Sequence, residues 1–263
     1  MNIAISTANL YFLPFEKVLE IYKKAGYEYI ELAGYWKGGD SEIAQHLKDI
    51  KPKDALKLVH EYGLKISSLH DMGGLIEDGV ESVISQLTYE YLEHYDFPCL
   101  VFHTPRKKGA DANWWNEYKH KAINDLQCIK GNRIICMENI YSVKYYSPII
   151  TPEDMLSFVE DADVFVNIDT THYGKSGADI STAANVLKDR VKTIHLSDYA
   201  DQKEHLFFGD GILDFKSFFS NIDINRLHAI TIEYNGLTSG INDEQFIFEK
   251  AKEAKTFVER VID

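Results

Sequence analysis

Eight residues in this chain could act together on one small substrate if the fold gathered them: Glu138, Asp169, His195, Glu233, His70, His103, His172 and His205. Carboxylates and imidazoles exchange protons near neutral pH, and they also hold Zn²⁺, Mn²⁺ and related cations. The stretch "FVNIDTTHYGKSGADI", Phe165 to Ile180, shows how they are delivered. An apolar, β-forming run ends abruptly on Asp169, with His172 three residues further on. The event recurs. "KISSLH" ends on His70, "CLVFH" on His103, "RIICMEN" delivers Glu138, "VKTIHLSD" His195 and "AITIEYN" Glu233. His205 lies in the loop after "VKTIHLSD".

These runs are six of eight short β-rich segments; the first two are "NIAIST" and "YIELA". Brief, nearly continuous apolar runs are the pattern of parallel strands buried on both faces. Amphipathic segments separate them. "PFEKVLEIYKKAG" closes on Gly26, and "KPKDALKLVHEYG" runs from Pro52 to Gly63. "TPEDMLSFVEDAD" opens with Thr151 as N-cap, Pro152 in the first turn and Asp154 in a capping-box position. "EQFIFEKAKEAKTFVERV" reads as a closing helix. Strand–helix alternation throughout implies a parallel sheet with crossover helices. Eight units in 263 residues match a single α/β domain, a (β/α)8 TIM barrel spanning 1–263, since such a barrel takes about 250 residues. An open doubly wound sheet would want a glycine-rich phosphate turn after its first strand, and "ISTANLYF" is not one. Two strand-to-helix connections are long, Gly34–Ile50 and Asp71–Gly79, and loops on that barrel face usually serve an active site.

In a barrel all strand C-termini share one face. A lone strand-end histidine is usually a hydrogen-bonded structural residue, and Asp169 alone could cap a turn. Six strands of eight ending the same way call for a common cause. Unpaired carboxylates crowded into one mouth are costly and raise one another's pKa, and a divalent cation removes that cost. The three cysteines, Cys99, Cys128 and Cys136, form no CxxC pair, which argues against a closed structural zinc site and for a reduced, cytoplasmic setting. His46, His60, His94, His120 and His228 fall in helical segments or just before a strand and read as structural or surface residues.

Hydrophobic residues make up 45% and charged residues 26%, as in an ordinary globular protein. The net charge of −13, with only five arginines, disfavours polyanionic partners such as nucleic acid. The N-terminus lacks a signal-peptide pattern, and no apolar run approaches the roughly 20 residues that span a bilayer. A membrane role is not expected. Homo-oligomerisation is left open.

Five motifs carry a resemblance: "MEN" at 137–139, "DTTH" at 169–172, "IHLSD" at 194–198, "HLFFGDGILDF" at 205–215 and "IEYN" at 232–235. In order and spacing, over nearly the whole chain, they resemble the xylose isomerase-like TIM-barrel superfamily. That group holds sugar isomerases and epimerases, inosose dehydratases and the endonuclease IV abasic-site nucleases. In its ketose 3-epimerase branch the resemblance implies one divalent metal ion (Mn, Zn, Co or Mg) held by Glu138, Asp169, His195 and Glu233. Glu138 and Glu233 would double as acid and base. One takes a proton from the carbon beside a carbonyl, an enediolate forms, and the other returns a proton. An inosose dehydratase-like lyase would begin with the same abstraction. His172 matches the substrate-binding histidine of that branch. One departure stands out: the arginine expected six residues after His195 is Asp201.

In the endonuclease IV branch the resemblance implies up to three zinc ions, with extra ligands at His70, His103, His172 and His205. There the departure is Lys203, which stands where an aspartate is expected two residues before His205. Our expectation is a sugar, sugar phosphate or polyol isomerase or epimerase. His70, His103, His172 and His205 then face the substrate, and Trp36 supplies an apolar wall from the long second loop, beside Tyr35. A zinc phosphodiesterase is the alternative. Trp114 and Trp115 could line the mouth or pack their helix, and the "GDG" turn at 209–211 is expected to shape its loop.

Overall fold

The computed structural model describes the chain except residues 35, 39–40, 73–81, 141–143, 237–242 and 263, and the side chains of 36–38 and 41–43. Eight parallel strands close into a barrel: β1 (Asn2–Ser6), β2 (Tyr29–Ala33), β5 (Lys65–Asp71), β6 (Cys99–His103), β7 (Ile134–Glu138), β8 (Phe165–Asp169), β9 (Val191–Leu196) and β12 (Ala229–Ile232). Neighbours around the barrel follow chain order, and β12 closes on β1. Two small antiparallel hairpins sit after barrel strands. β3 (Trp36–Gly38) pairs with β4 (Ser41–Ile43), and β10 (Asp198–Ala200) pairs with β11 (Lys203–Leu206). The expected (β/α)8 architecture is therefore present.

The helices form where the local signals put them. Pro52 opens the helix Pro52–Glu61, and Gly26, at φ 84°, follows the helix Phe15–Lys24. Thr151 and Asp154 make a reciprocal capping box at the start of Pro152–Asp161. Trp114 and Trp115 lie on the helix Ala112–Lys130 and act in packing. Trp114 stacks on Tyr118 at 5.2 Å between ring centroids, and Trp115 meets Phe158 at 5.7 Å.

The barrel interior is layered by side-chain alternation. Low in it Cys99, Val101 and Cys136 form their own small apolar cluster. One pleat further on, the same strands deliver His103 and Glu138, which lie opposite each other in register. The main apolar core lies between the strands and the surrounding helices.

His46 follows the β3–β4 hairpin and stacks on Phe15, with ring centroids 5.4 Å apart and 13° between planes. Burial lowers its pKa from the usual 6.5 to about 4, so the folded state holds it neutral. The stability this contributes is fully present above pH 6.5 and is lost as pH falls towards 4. It amounts to at most about 3 kcal/mol. We expect His46→Leu to flatten the acid side of a melting-temperature profile between pH 7 and 4. Parallel profiles for the two proteins would refute this.

The "GDG" turn owes its shape to Asp198, which is 2% exposed. Its carboxylate accepts from the backbone N–H of Tyr199 (2.9 Å), Gly209 (3.1 Å), Gly211 (3.1 Å) and Leu213 (3.1 Å). A Cβ on Gly211 would collide with that carboxylate and come within 2.7 Å of the Tyr199 nitrogen. Gly211→Ala is expected to cost about 1–3 kcal/mol in urea unfolding, as overpacking does at a site with no room to relax. A wild-type midpoint in the variant would show that the turn can shift freely.

Candidate functional site

The strand ends converge. His195, on β9, is wholly buried at the centre of the cluster. Its Nδ1 lies 2.7 Å from Glu233 Oε2 and 3.0 Å from Glu138 Oε2. Its Nε2–H donates to Glu31 Oε2 at 3.0 Å. With Nε2–H given to Glu31, Nδ1 is the ring nitrogen turned to Glu138 and Glu233, the arrangement found behind metal-ligating histidines, which give up the proton of that nitrogen when an ion binds. His70 bridges the same groups, with Nδ1 3.7 Å from Glu31 Oε1 and Nε2 3.2 Å from Glu138 Oε2.

Glu138 is the other hub. His172 Nδ1 and His103 Nε2 stand 3.3 and 3.6 Å from its Oε1, and Asn167 Nδ2 donates to its Oε2 at 3.1 Å. Asp169 does two jobs. Its Oδ1 caps the helix Thr170–Ser176 by accepting from the His172 N–H at 2.8 Å, as the ordinary reading of that residue anticipated. Its Oδ2 remains buried without a hydrogen-bond partner. Asn139 clamps the Asp169 backbone: its Oδ1 accepts from the Asp169 N–H at 2.8 Å, and its Nδ2 donates to the Asp169 carbonyl at 3.0 Å.

Two histidines have their tautomers set by backbone carbonyls, which can only accept. His172 Nδ1–H donates to Asn139 O at 2.9 Å, and His205 Nδ1–H donates to Glu233 O at 3.1 Å. Each keeps Nε2 for another partner. His205 holds this pose at φ 54°, a conformation that costs a non-glycine residue of order 1–3 kcal/mol and that clusters at working sites.

The electrostatics follow from burial and neighbours. Burial works to lower the His195 pKa, but Glu31, Glu138 and Glu233 outweigh it and hold it well above the usual imidazole range. Burial likewise opposes the net shift at Glu138, where His195, His70 and His103 hold the carboxyl well below its usual value. Glu233 falls to about 2, as His195 overcomes burial. Asp169 is raised, because burial outweighs His172 and His205. Burial lowers His103 to about 4 despite Glu138, whereas Asp169 and Glu138 overcome burial to raise His172 to about 9.

A cation fits this donor set. Glu138 Oε1, Asp169 Oδ2, His195 Nδ1 and Glu233 Oε2 are each buried without a hydrogen bond. Close approach without hydrogen-bond alignment is what ligand atoms aimed at one shared ion look like. Glu138, Asp169 and His195 form one group with ligand atoms within 4.8 Å of one another, and Glu31, His70, His195 and Glu233 form another. His70, His103 and Glu138 make a third group, and Asp169, His172 and His205 a fourth.

The expected residues Glu138, Asp169, His195, Glu233, His70, His103, His172 and His205 thus come together. Trp36 falls on β3, whose side chains lie outside the described residues, as does Tyr35 altogether. Most of the Asp71–Gly79 loop lies outside them too. Asp201 is exposed in the β10–β11 turn. Lys203 is also exposed; next to it, Glu204 pairs with Lys175 at 2.6 Å and stands 3.9 Å from His172 Nε2.

Sequence reasoning overlooked Glu31. Its signal was an acid inside the apolar run "YIELA", which is tolerable in a buried strand only with partners. Ser68, opposite it in register on β5, donates to Glu31 Oε2 at 2.7 Å. Asn167 and Asn139 were overlooked as supports for Glu138 and Asp169.

Fold and site together define a (β/α)8 barrel with an acid–imidazole centre that could hold a metal at its strand C-termini. The family model of the xylose isomerase-like TIM barrel matches residues 19–255, and the chain belongs to that family. A search of curated proteins returned no match. Among solved structures, the D-psicose 3-epimerase of Clostridium cellulolyticum H10, determined with D-tagatose, superposes with a TM-score of 0.74 at 16% identity, covering 100% of both chains. An L-ribulose 3-epimerase gives 0.68 at 17% identity, covering 99% of this chain and 94% of its own. The probable 3-DHS dehydratase of Bacillus anthracis gives 0.68 at 14%, covering 96% and 98%. At these identities the likeness is one of fold. Among the described residues no helix is long and apolar enough to cross a membrane.

Proposed function

We propose that this protein is a divalent-metal-dependent isomerase or epimerase of a small sugar, sugar phosphate or polyol, working by proton abstraction beside a carbonyl. One observation carries the reading. Glu138 and Glu233, arriving from strands separated by two others, place buried carboxylate oxygens 3.0 and 2.7 Å from His195 Nδ1. Glu138, Asp169, His195 and Glu233 would hold one Mn²⁺, Zn²⁺, Co²⁺ or Mg²⁺. When bound, such an ion polarises the substrate carbonyl and so acidifies the neighbouring C–H.

One glutamate, ionised, takes that proton, and the substrate becomes an enediolate. The other glutamate, ionised at rest like its partner, takes a proton from solvent and gives it back to carbon. The first then releases its proton to solvent, so both carboxylates end as they began. His172 holds a substrate hydroxyl through Nε2, because Nδ1 is committed to Asn139 O. His103, kept neutral by burial, hydrogen-bonds a hydroxyl without adding charge.

Solvent deuterium should enter a ketose or aldose at the carbon next to its carbonyl. Incubation of the metal-loaded protein with a panel of sugars, sugar phosphates and cyclic polyol ketones in D2O, read by NMR, tests this. Absence of exchange across the panel would remove the proposal. Loss of water following exchange would place the protein with the dehydratases.

A zinc phosphodiesterase acting on abasic DNA is the second reading. It is favoured by the two further ligand groups, His70–His103–Glu138 and Asp169–His172–His205. The exposed position of Lys203 and the pairing of Glu204 with Lys175 weigh against a third ion. Elemental analysis separates the readings: near three zinc per chain supports the nuclease, and one ion supports the isomerase.

A further inference from the structure

Building on the sugar-site reading, we propose that Arg106 anchors an anionic end group of the substrate. The preferred ligand is then a sugar acid or sugar phosphate over the neutral sugar. Four of the five arginines lie away from the mouth. Arg133 pairs with Asp96 at 2.7 Å, Arg190 with Asp163 at 3.6 Å and Arg226 with Asp189 at 2.8 Å, while Arg260 lies over Phe257. Arg106 alone follows a site strand, three residues beyond His103.

Among the described residues its guanidinium has no directly paired counter-ion. Nε is buried without a hydrogen bond, and among the described residues no carboxylate forms an ion pair with it. A cation kept there merely to offset the acids of the site would be expected to bond one of them directly. Instead the charges of Glu138 and Glu204 reach Arg106 through space, and its own charge reaches His103. Burial lowers its pKa to about 10, a cost that no described carboxylate offsets by direct contact.

The surroundings hold it ready. The guanidinium carbon sits 5.6 Å from the centre of the Tyr145 ring, a support that leaves the N–H edge of the fork open. The loop is tied on both sides of it. Thr104 N–H donates to Glu138 O at 2.9 Å, and Lys107 and Tyr146 exchange backbone hydrogen bonds of 3.0 Å in both directions. A rigid, open fork matches two oxygens of a carboxylate or phosphate. The position also answers the departure at Asp201: where the resemblance leads one to expect an arginine, this chain has an exposed acid, and a guanidinium comes instead from the loop after β6.

The test uses three ligands differing only at C6: D-fructose, D-fructose 6-phosphate and D-fructuronate. Calorimetry on the metal-loaded protein reads binding whether or not turnover occurs. The phosphate or the carboxylate ligand should bind about 10–100-fold more tightly than D-fructose, the range of a charged hydrogen-bonded contact. Which of the two gains identifies the anion. In Arg106→Met that ratio should collapse towards one, and in Arg106→Lys it should be partly kept. Taking ratios removes any general damage to the fold. Equal binding of all three ligands by the wild type, or an undiminished ratio in Arg106→Met, overturns the proposal. If the ratio behaves as expected but no ligand exchanges a proton in D2O, the anion site stands and the isomerase reading falls. Exchange without any charged preference removes the anion site and leaves the isomerase reading standing.

Discussion

Glu233→Gln is expected to slow solvent-deuterium entry into the substrate by about 10²–10⁴-fold, the range that removal of a positioned acid or base produces. Glu138→Gln should do the same. Glutamine keeps the shape and one ligand oxygen but cannot hold the transferred proton. The geometry makes the two losses comparable, because both carboxylates touch His195 Nδ1 and both are buried. Metal content must be measured alongside. Retained metal with lost exchange assigns the defect to proton transfer. Lost metal with lost exchange makes the glutamate chiefly a ligand. If either variant exchanged at the wild-type rate, the acid–base role of that glutamate would be wrong. A difference between the two variants in which substrate proton they fail to release would say which carboxylate serves which face.

Glu31→Gln is expected to weaken the affinity for the divalent cation by about 10–100-fold, as loss of an outer carboxylate behind a ligating histidine typically does. Glu31 never needs to meet the ion. It accepts from His195 Nε2 at 3.0 Å, is steadied by Ser68 at 2.7 Å, and so presents the opposite ring nitrogen to Glu138 and Glu233. An amide can present either its oxygen or its NH2 to the ring, and it lacks the charge that makes the imidazole a stronger donor to metal. Chelator competition measures the affinity directly. Glu31→Asp keeps the charge with a shorter reach and should fall between wild type and Glu31→Gln. An unchanged affinity in Glu31→Gln would reduce Glu31 to a buried counter-charge.

The positive φ at His205 and the helix that begins at Thr170 show how the mouth is assembled from strained and capped segments. Thr171 Oγ1 accepts from the His205 N–H at 3.3 Å, joining the β8 end to the β10–β11 hairpin. The hairpin turn itself runs through Asp201 and Gln202, both at positive φ. The Asp198 carboxylate, gathering four N–H groups, keeps that excursion returning to the barrel.

Local chemistry alone decided a good deal of this protein. Alternating β-rich and amphipathic runs dictate parallel strands with crossovers, and eight of them in this length close a barrel. Strands end on Asp169, Glu138 and His103, and one residue past His70, because apolar runs stop there, so the existence of an acid–imidazole mouth is written in one dimension. What only the tertiary structure decided is which atoms face which. Glu31 reads as one acid among apolar neighbours until barrel closure sets it against His195, 164 positions away in the chain. Arg106 carries no distinguishing signal in one dimension until the loop's ties to Glu138 and Tyr146 leave its guanidinium over Tyr145, beside the site and, among the described residues, without a carboxylate partner. The physical reason is one of range. Periodicity and capping act over a few residues, whereas burial, tautomer and charge compensation depend on contacts that exist only after the sheet has met its own first strand.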